Sequence, residues 1–470
     1  MNKLCFQSAR VLAQKIHAGK LSATEVMKAF IAQIERVNPK VNAIVTFVPD
    51  LALSAARKFD KLRNKKQFSL AGLPIAYKDN VPTRGIRTTS GSPIYRAHVP
   101  KEDGLLVERL TAAGAITLGK TNLPEFAAGS QTFNEVFGAT LNPYDTSKTC
   151  GGSSGGAAVA VACGMLPFAD GGDLGASLRN PGNFCNVVGF RPTPGRVPQW
   201  PSPNAWNTLA VPGPLGRTVA DTAFLFSAMA GPDPRSPISL AEEGKIFSRS
   251  LSRKFKKTRI AWSKNLGGLP VDPRVTAVLE AQKKVFRDLG CIVENAEPEL
   301  SAATEAFETL RAVSFVQSYG EFYRTRRDDL KEDVIRNIEH GLALTPEKIA
   351  RANGLRSELF HRMRVFLERY EFLLCPVNQL PPFPVSEAYP SEIAGVKMGN
   401  YLDWMKTCYW ITMTSSPAIS VPAGFTADAK PLPVGLQIVG RYRDDFGVLQ
   451  LAHAFEQATG LWRRRPALAA

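Results

Sequence analysis

Six small residues, Gly151-Gly-Ser-Ser-Gly-Gly156, open directly into the apolar run Ala157–Ala162. Residues without bulk are what a backbone needs where it must turn sharply, or lie close to other backbone, before entering a helix. The layout recurs nearby. Met165–Ala169 reads as a buried strand and leads into the small-residue turn Asp173-Leu-Gly-Ala-Ser177-Leu-Arg179-Asn-Pro181. Leu73–Tyr77 reads as another strand and ends on Lys78-Asp79-Asn80. From Leu70 to about Ala230, short apolar runs, tight turns and helical stretches alternate, as in an α/β fold with buried strands.

Outside this segment the pattern is simpler. Ser22-Ala-Thr-Glu25 is a capping box, followed by Val26, Phe30, Ile34 and Val37 at helical spacing; Asn38-Pro39 is expected to stop that helix. Between Asp233 and Arg369 charge and helix formers increase, and Leu279–Leu289 and Glu332–His340 read as amphipathic helices. This stretch is expected to form a helical lobe beside the core. Strands return at Phe372–Pro376, Ala418–Pro422 and Val434–Val439, and a helix over Val448–Ala458 ends at Gly460. A chain of 470 residues is long enough for one large core. The expected organisation is a single domain: N-terminal helices over 1–65, a core over 66–232 and 370–470, and a helical, substrate-side region over 233–369.

A net charge of +16 could draw nucleic acid or an anionic membrane. The basic clusters at Arg253–Arg259, Arg324–Arg327 and Arg463–Arg465 are short, however, and lack the interleaved aromatics of a single-strand binder. They read as solvated surface, and no nucleic-acid partner is expected. Seven widely spaced cysteines with no CxxC pair argue against a metal site and a disulfide framework, and fit reduced thiols in the cytoplasm. Met1–Ile16 has no apolar core of a signal peptide, and no run of about 18 apolar residues occurs, so no membrane association is expected.

Three motifs compete for the active site. Gly114-Ala-Ile-Thr-Leu-Gly119-Lys120-Thr121 matches a phosphate-binding loop letter for letter, but Ala115–Leu118 reads as the strand itself rather than as a loop after one. Gly151–Gly155 and Gly152–Gly156 match G-x-S-x-G, which would need a later histidine on a loop. His340, His361 and His453 all fall in helical segments. The third candidate joins Lys78, Ser153 and Ser177, each at the end of a strand or in a small-residue turn.

This third constellation resembles the amidase-signature family. The resemblance is carried by Lys78-Asp-Asn80, by Gly151–Gly156, and by Asp173–Pro181 with its serine 24 residues after Ser153. Flanking text adds to it: Gly119–Phe126, Asn142-Pro-Tyr144, Gly189-Phe-Arg-Pro-Thr193, Pro417–Gly424 and Leu432–Gln437. The resemblance implies an α/β/α sandwich around a large mixed sheet. It also implies Ser177 as nucleophile, Ser153 as a bridging serine after a cis Gly152–Ser153 bond, Lys78 as base, and Ser154 as a hydrogen-bonding support. The backbone N–H groups of Leu174, Gly175, Ala176 and Ser177 would form the oxyanion hole, with no metal and no cofactor.

The chemistry is consistent with these roles. A serine hydroxyl needs a base, and a lysine serves only if burial lowers its pKa from about 10.4. Activity should therefore rise toward alkaline pH. Ala176 stands where the family usually has glycine, so its methyl group and its resistance to positive φ bear on the hole. Asp173 and Arg179 read either as a clamp on the nucleophile turn or as a structural ion pair. Ala128, Gly129 and Ser130 resemble a loop lining the substrate cleft; the alternative is a helix cap. Phe307, Phe315, Tyr319, Phe322, Tyr323, Tyr401, Trp404, Tyr409 and Trp410 either face the cleft or pack the core. The expected partner is a small apolar or aromatic amide or carbamate, with esters as further substrates, and the protein is expected to be a monomer or homodimer. The alternative within the same family is the glutaminase subunit of a tRNA-dependent amidotransferase.

Overall fold

The computed structural model describes residues 3–469. Eight strands form one mixed sheet in the order Ile292–Asn295, Arg259–Trp262, Phe372–Pro376, Pro433–Gly440, Ala418–Phe425, Val188–Arg191, Val211–Gly216 and Phe168–Asp173. The first three are mutually parallel and every later neighbour is antiparallel. A second, three-stranded sheet pairs Ile116–Thr121 with Ile44–Phe47 on one side and Pro74–Lys78 on the other. It meets the edge of the large sheet where the Lys78 N–H donates to Asp170 Oδ1 at 3.1 Å.

Alternation along the central strands sends side chains to two cores. Phe372, Leu374, Ile419, Val421, Leu436 and Ile438 share one core with helices Ala23–Val41, Gly155–Ala162, Val219–Met229 and Asp445–Thr459. Leu373, Cys375, Ala418 and Val439 face the other, under helices Ala303–Thr325, Pro346–Arg369 and Lys406–Met413. The result is the expected sandwich of helices about a mixed sheet. Helix Gly155–Ala162 is buried on every side, as its apolar composition requires. It enters against the end of strand Ile116–Thr121: a Cβ on Gly156 would lie 2.4 Å from the Asn122 nitrogen, so only glycine fits there.

Two expectations are corrected. The helix from Ala23 runs through Pro39 to Val41 and caps on left-handed Asn42. A proline so near the end removes one backbone bond with almost no helix left to disrupt, and Asn38 Oδ1 accepts from the Ala43 and Ile44 N–H groups. The stretch 233–369 is not only a helical lobe, since Arg259–Trp262 and Ile292–Asn295 extend the main sheet. Each is four residues long, too short for a period to stand out among the surrounding basic residues. All seven cysteines are free and buried, and among the described residues no helix is long and apolar enough to cross a membrane.

Candidate active site

Lys78 ends its strand 2% exposed, and its Nζ lies 2.7 Å from Ser153 Oγ and 3.0 Å from Ser154 Oγ. Burial pushes its pKa down from 10.5 to about 7, against the charges of Asp170 and Asp173, which favour the ammonium. The amine is therefore poised to exchange a proton near neutrality. Ser153 follows a cis Gly152–Ser153 bond. Asn180 Nδ2 donates to the carbonyls of Ser130 (3.1 Å) and Gly152 (3.3 Å), and the Thr132 hydroxyl donates to the Gly151 carbonyl (2.8 Å). Ser154 ties the two turns together: its N–H donates to the Ser177 carbonyl at 3.2 Å, and its Oγ accepts from the Gly172 N–H at 3.3 Å.

Ser177 lies on the wall of the same cavity as Lys78 and Ser153, 8% exposed. Among the described residues its hydroxyl makes no hydrogen bond, so the link from Ser153 to Ser177 is open in this arrangement. The N–H groups of Leu174, Gly175, Ala176 and Ser177 likewise find no acceptor, whereas the next two, of Leu178 and Arg179, donate to Asp173 Oδ2. Four consecutive unspent donors beside a serine are what a developing oxyanion needs. Ala176 is not among the residues of positive φ, and it is buried in the second core. Its methyl group packs without backbone strain, so the departure from glycine does not distort the turn.

Asp173 holds this turn from beneath. Arg179 grips it with two bonds, Nε to Oδ2 at 3.0 Å and Nη2 to Oδ1 at 2.9 Å, and Arg191 Nη1 reaches Oδ1 at 3.3 Å and the Asp173 carbonyl. All three side chains are fully buried. Burial pushes the Asp173 carboxyl up, but the two guanidinium charges and the Arg179 hydrogen bonds outweigh it and hold the pKa at about 2. Arg179 also donates to the Gly175 carbonyl at 2.8 Å. The pair is thus an ion pair and a clamp on the Ser177 turn together.

The competing motifs dissolve. Lys120 lies inside strand Ile116–Thr121, fully buried, donating to the Val81 carbonyl and to Thr83 Oγ1. A Cβ at Gly119 would sit 2.1 Å from the Thr46 carbonyl oxygen, which leaves no room for a phosphate. His340, His361 and His453 lie on helices and do not line the cavity.

The cavity has a volume of about 290 Å³. The expected lining residues Ala128, Gly129 and Ser130 are not on it. Ala128 is buried in a small apolar cluster, and Gly129 and Ser130 face a separate recess beside Tyr401 and Trp404. The preceding Phe126 and Ala127 line the cavity instead, both at positive φ. Of the aromatic candidates only Phe315 and Tyr319 line it. Phe307 stacks on Tyr409 at 4.2 Å, Trp404 packs on Phe184 and Phe383, Phe322 joins Tyr95 and Phe126, Tyr323 bonds Glu339, Tyr401 bonds Arg311, and Trp410 donates to Thr304.

The Amidase family model matches residues 25–449. The chain belongs to the amidase-signature family. It is 34% identical over 465 residues to an acylamidase of Rhodococcus erythropolis, covering 98% of this chain and 97% of that one. It is 35% identical over 497 residues to the A subunit of the glutamyl-tRNA(Gln) amidotransferase of Carboxydothermus hydrogenoformans, covering 99% and 100%. A bacterial aryl acylamidase of the amidase-signature family superposes with a TM-score of 0.90 at 28% identity, over 97% of this chain and 96% of that one.

Two residues of this amidase's cavity do not stand out as site residues in the sequence. Asp170 and Arg311 both line it and both are buried. Each leaves a faint trace: Asp170 is a charge within a buried strand, and Arg311 interrupts the aromatic face Phe307–Phe315 at helical spacing.

Proposed function

We propose that this amidase-signature hydrolase cleaves the C–N bond of small apolar or aromatic amides through an acyl-enzyme on Ser177, and that carbamates and esters enter the same route. Neutral Lys78 takes the Ser153 proton while Ser153 takes the Ser177 proton, and Ser177 Oγ attacks the carbonyl carbon. The oxyanion is met by the N–H groups of residues 174–177. The proton returns along the same path to the amine nitrogen as the C–N bond breaks, so the leaving group departs as a neutral amine. Water then enters, gives a proton to the relay, attacks the acyl carbon and releases the acid. The observation that carries this reading is the 2.7 Å contact between the buried Lys78 amine and Ser153, beside a serine turn with four unspent N–H donors.

The full-length similarity to the amidotransferase relative, at the same level of identity as the acylamidase, favours a second reading: glutamine hydrolysis within a tRNA-dependent complex. Aromatic lining by Phe126, Trp200, Phe315 and Tyr319 favours the first. Wild type and Ser177→Ala would be assayed on 4-nitroacetanilide, an aryl carbamate, an aliphatic amide, a nitrophenyl ester and glutamine. Anilide hydrolysis lost in the variant supports the first reading, and turnover of glutamine alone supports the second. Full activity in Ser177→Ala refutes the relay.

A further inference from the structure

Helix Ala303–Thr325 runs along the cavity. Phe307 packs its ring against Gly175 in the nucleophile turn, where a Cβ would be 3.0 Å from Phe307 Cζ. Arg311 follows four residues later, about 6 Å along the axis, then Phe315, and Arg311 and Phe315 both line the cavity. Arg311 is 5% exposed. Among the described residues its side chain makes one hydrogen bond, to the Tyr401 hydroxyl at 2.6 Å, and its buried Nε has no partner. The guanidinium lies 4.4 Å from the Phe315 ring centre and 5.7 Å from that of Tyr401. Among the described residues no carboxylate pairs with it.

Two other buried arginines of this protein spend their donors on protein groups, and Arg191, whose Nε is also unpartnered, pairs with Asp173. Arg179 uses its donors on Asp173, two carbonyls, Gln437 and Thr412, and Arg217 spends its own on three carbonyls. Withdrawing a cation from water without an anion is costly, and aromatic faces offset only part of that cost. A planar guanidinium on the wall of a cavity, with a donor left unspent, has the chemistry to recognise a carboxylate through two hydrogen bonds.

We propose that Arg311 is the specificity residue of this amidase and binds a carboxylate carried by the substrate, so that its preferred substrates are amides with an acidic group beyond the scissile bond. The proposal rests on the amidohydrolase reading above and names its substrate class. The net charge of +16 also favours the approach of an anion.

The test uses two matched pairs of anilides, in which a methyl ketone replaces the carboxylate. 4-Acetamidobenzoate against 4-acetamidoacetophenone places the acid on the amine side; succinanilic acid against levulinanilide places it on the acyl side. The readout is the ratio of kcat/KM, acid over ketone. A charge-assisted contact predicts a wild-type ratio of about ten to a hundred in one pair, which identifies the side that Arg311 reads. Arg311→Met should bring that ratio to about one, and Arg311→Lys should leave an intermediate value. A merely structural arginine would lower both members of a pair together and preserve the ratio, which overturns the proposal, as does a wild-type ratio near one in both pairs. Calorimetric binding of the same compounds to Ser177→Ala separates the two readings. If nothing is hydrolysed yet the acids bind selectively, and Arg311→Met abolishes that selectivity, the carboxylate site stands and the amide reading falls. Equal binding of acid and ketone refutes the site.

Discussion

The proposed base, Lys78, can be titrated, and the residue that tunes it can be changed. Lys78 has a pKa of about 7, lowered by burial and held up by the charges of Asp170 and Asp173. Only the neutral amine accepts the Ser153 proton. With that pKa about 1% of the enzyme is competent at pH 5 and about 90% at pH 8, so kcat/KM should fall by up to about ninety-fold between them. The acid end of the limb is made shallower because burial raises the Asp170 carboxyl to about 6 and it too takes up a proton there. Asp170→Asn removes a negative charge that favours the ammonium, while its remaining side-chain carbonyl can still accept from the Lys78 N–H, as Asp170 Oδ1 does at 3.1 Å. Losing an opposite charge so close should move the inflection toward acid by about one unit. The loss between pH 8 and pH 5 then shrinks to roughly tenfold. The assay is release of 4-nitroaniline from 4-nitroacetanilide, which does not titrate in this range, so the limb belongs to the enzyme. A flat wild-type profile would remove Lys78 as the base, and an unchanged or alkaline-shifted inflection in Asp170→Asn would refute the electrostatic argument.

Three other changes probe the scaffold. The depressed pKa of Lys78 means that folding resists its proton from pH 7 up to 10.5, at most about 5 kcal/mol; this cost is fully present below pH 7 and fades as pH rises. Lys78→Met should therefore be inactive, and wild-type stability relative to it should rise by several kcal/mol from pH 7 to pH 10 in urea titrations; no rise would contradict the burial cost. Asp173→Asn leaves Arg179 and Arg191 buried without a counter-charge and should cost about 3–5 kcal/mol. In the wild type the Asp173 contribution is present above about pH 4 and lost as pH falls through its folded pKa of about 2, roughly 2.5 kcal/mol in all; acid denaturation of both proteins would show whether that term is missing from the variant. Ala176→Gly should lower stability by about 1 kcal/mol through lost packing and added backbone freedom without raising kcat; a faster variant would mean that the methyl group obstructs the oxyanion turn.

The elements with strong local signals were legible in the chain. The capping box at Ser22, the strands at Phe372, Ala418 and Pro433, and the helix that ends at left-handed Gly460 lie where propensity and periodicity place them. Lys78, Ser153 and Ser177 could be picked out because each stands in a small-residue turn or at the end of an apolar run, and because their order and spacing are those of a family. These are local and linear properties.

What the fold alone decided is which distant groups share a space. Asp170 meets the Lys78 backbone only because the edge strand of the large sheet abuts the small one, and the lowered pKa of Lys78 is a product of that three-dimensional burial. Arg311 comes to the cavity from a helix more than a hundred residues beyond Ser177, and in sequence it is one basic residue among many. The cleft loop turns at Phe126 and Ala127, so the predicted Ala128, Gly129 and Ser130 point elsewhere. Chemistry that depends on residue type and short spacing is written along the chain. Substrate choice depends on through-space distance and on which polar groups are left unpaired, and these exist only once the chain has packed.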